Sequence, residues 1–183
     1  MNIFVLDKKP KKAAQYHNNK HVVKMVVEAA QMLSTTHRVC DGVEYTDKSR
    51  SGRNIKRWKL EHNDDIIYKA VHVNHPCTIW TRQSAGNYNW HYNLFVALCD
   101  EYTYRYGKIH ETDTKLREIL ATPPRNLPEG GLTEFAQAMP EYCKDKDSIK
   151  AYRNYYMYEK TDLNVWVRRS TPKWYKGNTD ANL

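Results

Sequence analysis

Apolar positions recur along most of the chain with a helical period, and the interruptions divide it into segments. Residues 2 to 6, Asn-Ile-Phe-Val-Leu, read as a short strand or an apolar anchor, followed by Asp7 as a helix cap and Pro10 in a first turn. A helix is predicted from about Ala13 to His37. At 100° per residue Val22, Val23, Val26, Ala29, Ala30 and Leu33 share one face, and His17, His21, Lys24, Glu28 and Gln31 the opposite one. Residues 40 to 57, rich in Asp, Ser, Gly, Lys and Arg, read as an exposed loop, and Leu60 to Val71 as a second helix. His75-Pro76 opens a helix running through Trp80, broken near Ser84, Gly86 and Asn87. From Tyr88 to Tyr106 follows the segment expected to be the central, most buried helix, closed by Gly107. Thr112 to Leu120 is a shorter helix stopped by Pro123-Pro124, and residues 121 to 131 form a loop. Asp147 caps a last helix over Ser148 to Glu159, with Ile149, Tyr152 and Tyr156 facing inward. A basic, aromatic tail follows and frays over 177 to 183.

The fold class expected is mainly α: a single compact helical domain over 1 to 183, with long irregular loops and little or no sheet. The length suits one domain, and 40% hydrophobic with 27% charged residues excludes wholesale disorder. Cys40, Cys77, Cys99 and Cys143 show no paired spacing and read as buried free thiols of a reducing cytoplasm. The apolar start is too short for a signal sequence, and no segment reaches transmembrane length, so a membrane is not expected as a partner.

Charge adds a partner. The 29 Lys and Arg against 21 Asp and Glu give a net charge of +8, concentrated near Lys8 to Lys12, Arg50 to Lys59 and Arg168 to Lys176. Such a field draws polyanions through phosphate contacts and counterion release, or serves solubility alone. Fourteen Tyr and five Trp against three Phe supply rings with polar handles, suited to base stacking as well as to half-buried packing.

Three groups of residues carry candidate chemistry. The stripe His17, His21, Lys24 and Glu28 places acid and base groups in mutual reach, or is a solvated face with an ordinary Lys24 to Glu28 pair. The four-residue spacing of His17 and His21 also fits helical zinc ligands, with Glu28 or His37 to complete a site. No H-E-x-x-H or cysteine pair accompanies it, and neither a metal nor another cofactor is expected. The second group, His75, Trp80, Arg82, Gln83, Ser84, Asn87, Tyr88 and Trp90, mixes donors with flat rings around a helix break. It would hold a nucleobase, or be a helix junction whose rings are core and whose Ser84 and Asn87 are caps. The third, Arg168, Arg169, Lys173, Trp174, Tyr175 and Lys176, suits phosphate contact with stacking, or is a tail whose Trp174 packs back on the body.

The opening segment with Lys20 to Arg38, Asn74 to Trp90 and Ala97 to Lys108 is similar to a family of tailed-phage proteins. More distantly the chain resembles the pyrimidine-dimer DNA glycosylases of the phage endonuclease V type and their bacterial relatives. Three blocks carry the likeness. They are Val23 to Leu33; Asn74-His75-Pro76 leading to Leu98 to Tyr102 and Arg105-Tyr106-Gly107; and Arg153-Asn154 followed by Pro172-Lys173-Trp174-Tyr175. The resemblance implies a compact helical fold that flips a nucleotide, attacks the sugar C1′ with an amine and cleaves the strand through an imine, assisted by a helical glutamate. It points to Glu28 as the carboxylate and Lys24 as a nearby cation, with His21 on the same stripe and Arg153 among the DNA contacts. An α-amine, with an intrinsic pKa of about 8, offers more free base at neutral pH than a lysine near 10.4. Nucleophiles of that family sit on a small second residue exposed by methionine removal. Here Asn2 follows Met1, so the amine of Met1, Lys24 in its place, or loss of the lyase step are the readings left.

The expectation is therefore a phage DNA-processing enzyme of the bacterial cytoplasm, a glycosylase with AP-lyase activity on damaged or modified pyrimidines. A non-catalytic protein holding nucleic acid or a host protein, and a nucleotide or modified-base enzyme, are the alternatives. The position of the Met1 amine relative to Glu28 separates chemistry from its absence: within about 4 to 6 Å the two act on one sugar.

Overall fold

Proline and asparagine divide the first part of the chain into two helices where periodicity predicts one. In the computed structural model, which describes residues 1–177, α1 spans Pro10–Tyr16 and starts on a proline whose fixed φ suits a first turn. His17 is extended, and the Asn18 side chain accepts the His21 N–H at 2.8 Å, capping α2, Asn19–Asp41. The helix expected from Ala13 to His37 is thus interrupted, because this cap outweighs continuation of the pattern. The buried arc of α2 takes in His21, Val22, Met25, Val26, Ala29, Met32 and Leu33. It is turned toward Met25 and Met32 relative to the expected face, which brings His21 inside and leaves Val23 40% exposed. Glu28 lies at the margin of that arc, with 12% of its side chain exposed.

Ile3, Phe4, Val5 and Leu6 form no strand. They are an apolar anchor, all buried. Phe4 stacks on His21, with ring centroids 4.3 Å apart, and meets Tyr155 and Tyr156 of the last helix.

Residues 60–75 are irregular, so the helix that apolar spacing predicts over Leu60 to Val71 does not form. The cause is Arg38 of α2, 3% exposed, which donates at 2.7 Å to the carbonyls of Trp58, Asp64, Ile67 and Tyr68 and to the Asp64 carboxylate. Five acceptors pointed at one guanidinium are incompatible with the parallel carbonyls of a helix. The expected loop at 40–57 holds the end of α2 and an antiparallel hairpin, β1 Val43–Lys48 and β2 Asn54–Lys59, in register from Val43 opposite Lys59 to Lys48 opposite Asn54. This is the one sheet among the described residues.

His75 and Ser84 open the next two helices as caps. His75 Nδ1 accepts the Cys77 N–H ahead of α3, Pro76–Thr81, and the Ser84 hydroxyl accepts the Asn87 N–H ahead of α4, Ala85–Tyr106. α4 packs against α1, α2, α3 and α5 and buries Tyr88, Leu94, Phe95, Leu98 and Cys99, the central helix expected, closed at Gly107. α5 spans Glu111–Leu120. α6 spans Ser148–Glu159, and the Asp147 carboxylate accepts the N–H groups of Ile149 and Lys150. Ile149, Tyr152 and Tyr156 face inward as expected. The described regular structure is mainly helical. The fraying expected of the end of the chain falls, Gly177 apart, outside the described residues. No helix among them is long and apolar enough to cross a membrane.

Candidate active site

The anchor delivers the start of the chain to the middle of α2. The Asn2 side chain holds it there: its Nδ2 donates to Ala138 O at 2.7 Å, while its Oδ1 accepts the N–H groups of Ile3 and Phe4. Arg153 of α6 clamps the far end by donating to Leu6 O. Between these fixed points the Met1 amine lies 3.6 Å from Glu28 Oε2, and the Asn2 N–H donates to the same oxygen at 3.1 Å. Lys24, one turn before Glu28 and 67% exposed, reaches Oε1 at 3.1 Å. Glu28 thus joins an α-amine, a backbone N–H and a rim lysine.

The start of α3 forms a neighbouring wall. The Thr78 hydroxyl donates to Met1 Sδ at 3.7 Å, and Cys77 Sγ contacts Asn2 Oδ1 at 3.8 Å. Burial pushes the Cys77 thiol up to about 11, so it is a neutral packing group. His75 is half-buried. Burial first, then the charges of the Met1 amine and His72, hold its imidazole below the usual range, against the opposing pull of Glu28. Asn2, Cys77 and Thr78 are neighbours that no local spacing marks. Only the buried position of residues 2–6, which ties Asn2 to a carbonyl 136 residues away, assembles them.

His17 and His21 do not share this polar face. Both are buried among aromatics, with His17 Nδ1 on Ala13 O at 2.8 Å and His21 Nδ1 on the Tyr156 hydroxyl at 2.6 Å. Burial foremost lowers His17 to about 4 and His21 to about 3. His21 therefore supports the anchor through Phe4 rather than extending the Lys24 and Glu28 pair. His37, the other suggested ligand, bonds the Tyr88 hydroxyl at 2.7 Å. Among the described residues no group of three His, Cys, Asp or Glu is placed to hold a metal ion.

The second group is a helix junction, not an open ring platform. Trp80, Asn87 and Tyr88 are 2%, 0% and 0% exposed. The Asn87 amide donates to Trp80 O and exchanges hydrogen bonds with Thr133, while Ser84 donates to Gly131 O. Trp90 packs edge-on against Trp80 and Phe135. Arg82 is half-buried and donates to Val73 O, while Gln83 is exposed. The amides and hydroxyls of this group do satisfy a partner, and that partner is the loop around Gly131 rather than a base.

The tail also packs back. Trp174 is half-buried against Tyr16 and Tyr156, with the Arg153 guanidinium 5.3 Å from its ring centre, and Tyr175 meets Trp166. Arg169 grips Glu101 with two bonds of 2.9 and 2.7 Å and lies over Tyr104. Burial raises the Glu101 carboxyl, but Arg169 and Arg105 together outweigh it and hold the group below the usual carboxylate range. Arg168, Lys173 and Lys176 remain exposed. Arg168 and Arg169 join Lys12, Gln15, Tyr16 and Ser170 around a cleft of about 290 Å³ that no carboxylate lines.

Neither the curated proteins nor the solved structures include a match to this chain. A family model described as pyrimidine dimer DNA glycosylase matches residues 1–115, the stretch that contains the anchor, Glu28 and the start of α3. The chain belongs to the pyrimidine dimer DNA glycosylase family, and with it comes a DNA glycosylase role with DNA as substrate.

Proposed function

We propose that the protein excises damaged or modified pyrimidines from DNA by amine catalysis at Glu28, with an associated AP-lyase step. The observation that carries this is the 3.6 Å approach of the Met1 amine to Glu28 Oε2. The unprotonated amine attacks C1′ of the flipped nucleotide. The C1′–N bond breaks and its electron pair leaves with the base, which takes a proton. The C1′–O4′ bond then opens, its electron pair staying on O4′, which takes the proton that Glu28 received from the amine, and a protonated imine results. Loss of a C2′ proton to the Glu28 carboxylate then expels the 3′ phosphate, and water releases the amine. In this reading Glu28 takes the proton from the amine and later from C2′, and Lys24, 3.1 Å from Oε1, holds that carboxylate from the solvent side. Because Asn2 N lies at 3.1 Å from the same oxygen, an amine on either Met1 or Asn2 would meet the same base.

DNA would be held by the exposed cations Arg168, Lys173 and Lys176 and the cleft beside Lys12, with Gln83 and His75 on accessible surface near α3. Four free thiols support a reducing cytoplasm as the setting, in a phage-infected bacterium. Borohydride reduction during reaction with ultraviolet-irradiated DNA should trap a covalent adduct, and mass spectrometry should place it on the N-terminal peptide. Base release without an adduct would leave a glycosylase and remove the lyase. Absence of both would sink the proposal.

A further inference from the structure

The hairpin at the end of α2 carries the largest share of the chain's positive excess in one regular element. Residues 43–59 carry six Lys and Arg against two carboxylates, half of the net charge of +8 in 17 residues. Both acids are spent near its base and middle. Glu44 pairs with Lys56 at 2.8 Å, and Asp47 lies 3.9 Å from Arg57. Lys48, Arg50 and Arg53, at and around the tip, have no carboxylate partner among the described residues.

The tip is built rather than slack. Ser49 N–H donates to Arg53 O at 2.8 Å, the Arg53 N–H donates to Ser49 Oγ at 3.0 Å, and Gly52 N–H donates to Ser49 O at 2.9 Å. Gly52 takes the positive φ of 79° that closes the turn and favours glycine. The base is anchored through Arg38, which bonds Trp58 O, and through Arg57, which donates to Ala70 O. A stiff, two-stranded ribbon with a bare cationic tip therefore stands off the end of the helix that carries Glu28. Charges on an edge strand also guard against sheet-to-sheet pairing. That role needs charge along the strands, and does not call for a tip with cations alone.

We infer that this hairpin is a wing that grips the phosphate backbone of duplex DNA away from the lesion. The inference rests on the DNA glycosylase reading. Glu28 and Asp41 are 13 positions apart in α2, so the base of the wing stands about 20 Å from the carboxylate along the helix. Six-residue strands carry the tip up to about 20 Å farther. At 3.4 Å per base pair, the tip meets duplex roughly six to twelve base pairs from the flipped nucleotide. Phosphate rather than base recognition follows from the residue types, since Lys and Arg at a Ser and Gly-rich tip offer charge without an apolar or amide reader.

The test is anisotropy titration of the full chain and of the triple variant K48S/R50S/R53S against two duplexes with a central abasic-site analogue. One is about 10 base pairs long, ending short of the wing, and one about 30. All three side chains are exposed, so the variant should keep its circular dichroism and melting temperature. On the long duplex, the slope of log K against log salt should become shallower by about 2 to 3, one step of about 0.9 for each phosphate that is no longer neutralised. On the short duplex wild type and variant should bind alike. An unchanged slope on the long duplex would overturn the wing, and so would an equal weakening on both duplexes, which marks a general field. Wild type without salt-dependent binding to either duplex would instead overturn the DNA reading beneath it.

Discussion

The Asn2 backbone N–H donates to Glu28 Oε2 across 26 positions of sequence, and by doing so sets the Met1 amine against the same carboxylate. The arrangement makes Glu28 both a structural acceptor and the proposed base. These roles separate on substitution: a glutamine keeps an oxygen for the N–H but lacks the basicity that proton transfer requires.

Glu28→Gln should therefore lower single-turnover base release from irradiated DNA by about 10²-fold or more while unfolding stays close to wild type. Retention of full activity by a folded variant would remove Glu28 from the mechanism.

Arg38 organises residues 58–68 by bonding four carbonyls and one carboxylate from a nearly sealed position. Arg38→Met keeps the length and leaves the four carbonyls without this donor, while the Asp64 carboxylate, 42% exposed, keeps the Leu60 N–H. It should cost about 3 to 5 kcal/mol in urea unfolding, because several buried carbonyls each lose a partner at roughly 1 to 3 kcal/mol. Amide exchange should quicken first in 60–75. A destabilisation below about 1 kcal/mol would show that water replaces the guanidinium freely.

Acid should destabilise the fold through its buried imidazoles. Burial lowers His17 and His37 to about 4 and His21 and His91 to about 3. In the unfolded chain each takes up a proton near pH 6.5. The folded values are the lower ones, so this contribution is full above about pH 6.5 and is lost as pH falls toward 3 to 4. Each histidine contributes a slope approaching 1.4 kcal/mol per pH unit inside that window, roughly. Urea unfolding at pH 5 should show stability lower than at pH 7 by about 4 kcal/mol or more. Equal stability at the two pH values would mean that these rings titrate normally.

Gly86 sits where the loop crosses α4. A β-carbon there would meet the Gly131 carbonyl carbon and the Leu132 nitrogen at 2.3 Å, both backbone atoms. Gly86→Ala should destabilise by about 1 to 3 kcal/mol and loosen residues 128–133, read as a lower melting temperature and faster proteolysis in that loop. An unchanged melting temperature would show that the loop moves aside without penalty.

Local chemistry was enough to write much of the helical frame. Pro10, His75-Pro76, Ser84, Gly107 and Asp147 act within one turn of themselves, so the boundaries they set are visible in a short window. Where a boundary depended on a competing local bond, as with Asn18 accepting the His21 N–H inside a continuous apolar pattern, periodicity overran it. The two departures after α2 have different origins. Residues 60–71 have helical spacing, but their carbonyls turn toward Arg38, a partner more than 20 positions earlier. The hairpin escaped because its strands are largely exposed, and the alternation of apolar and polar residues that marks a half-buried strand is weak there.

The mainly helical class, the basic charge and the placing of Lys24 and Glu28 one turn apart follow from residue identity and a helical repeat alone. Which polar groups meet is a property of the folded chain. Folding sent His17 and His21 into the aromatic core, spent Asn87 and Ser84 on a loop, paired Arg169 with Glu101, and brought the Met1 amine to Glu28. Those outcomes rest on the burial of Ile3 to Leu6 between α2 and α6 and on hydrogen bonds between residues far apart in sequence. No repeat or spacing along a chain encodes which distant carbonyl a buried Asn2 will satisfy.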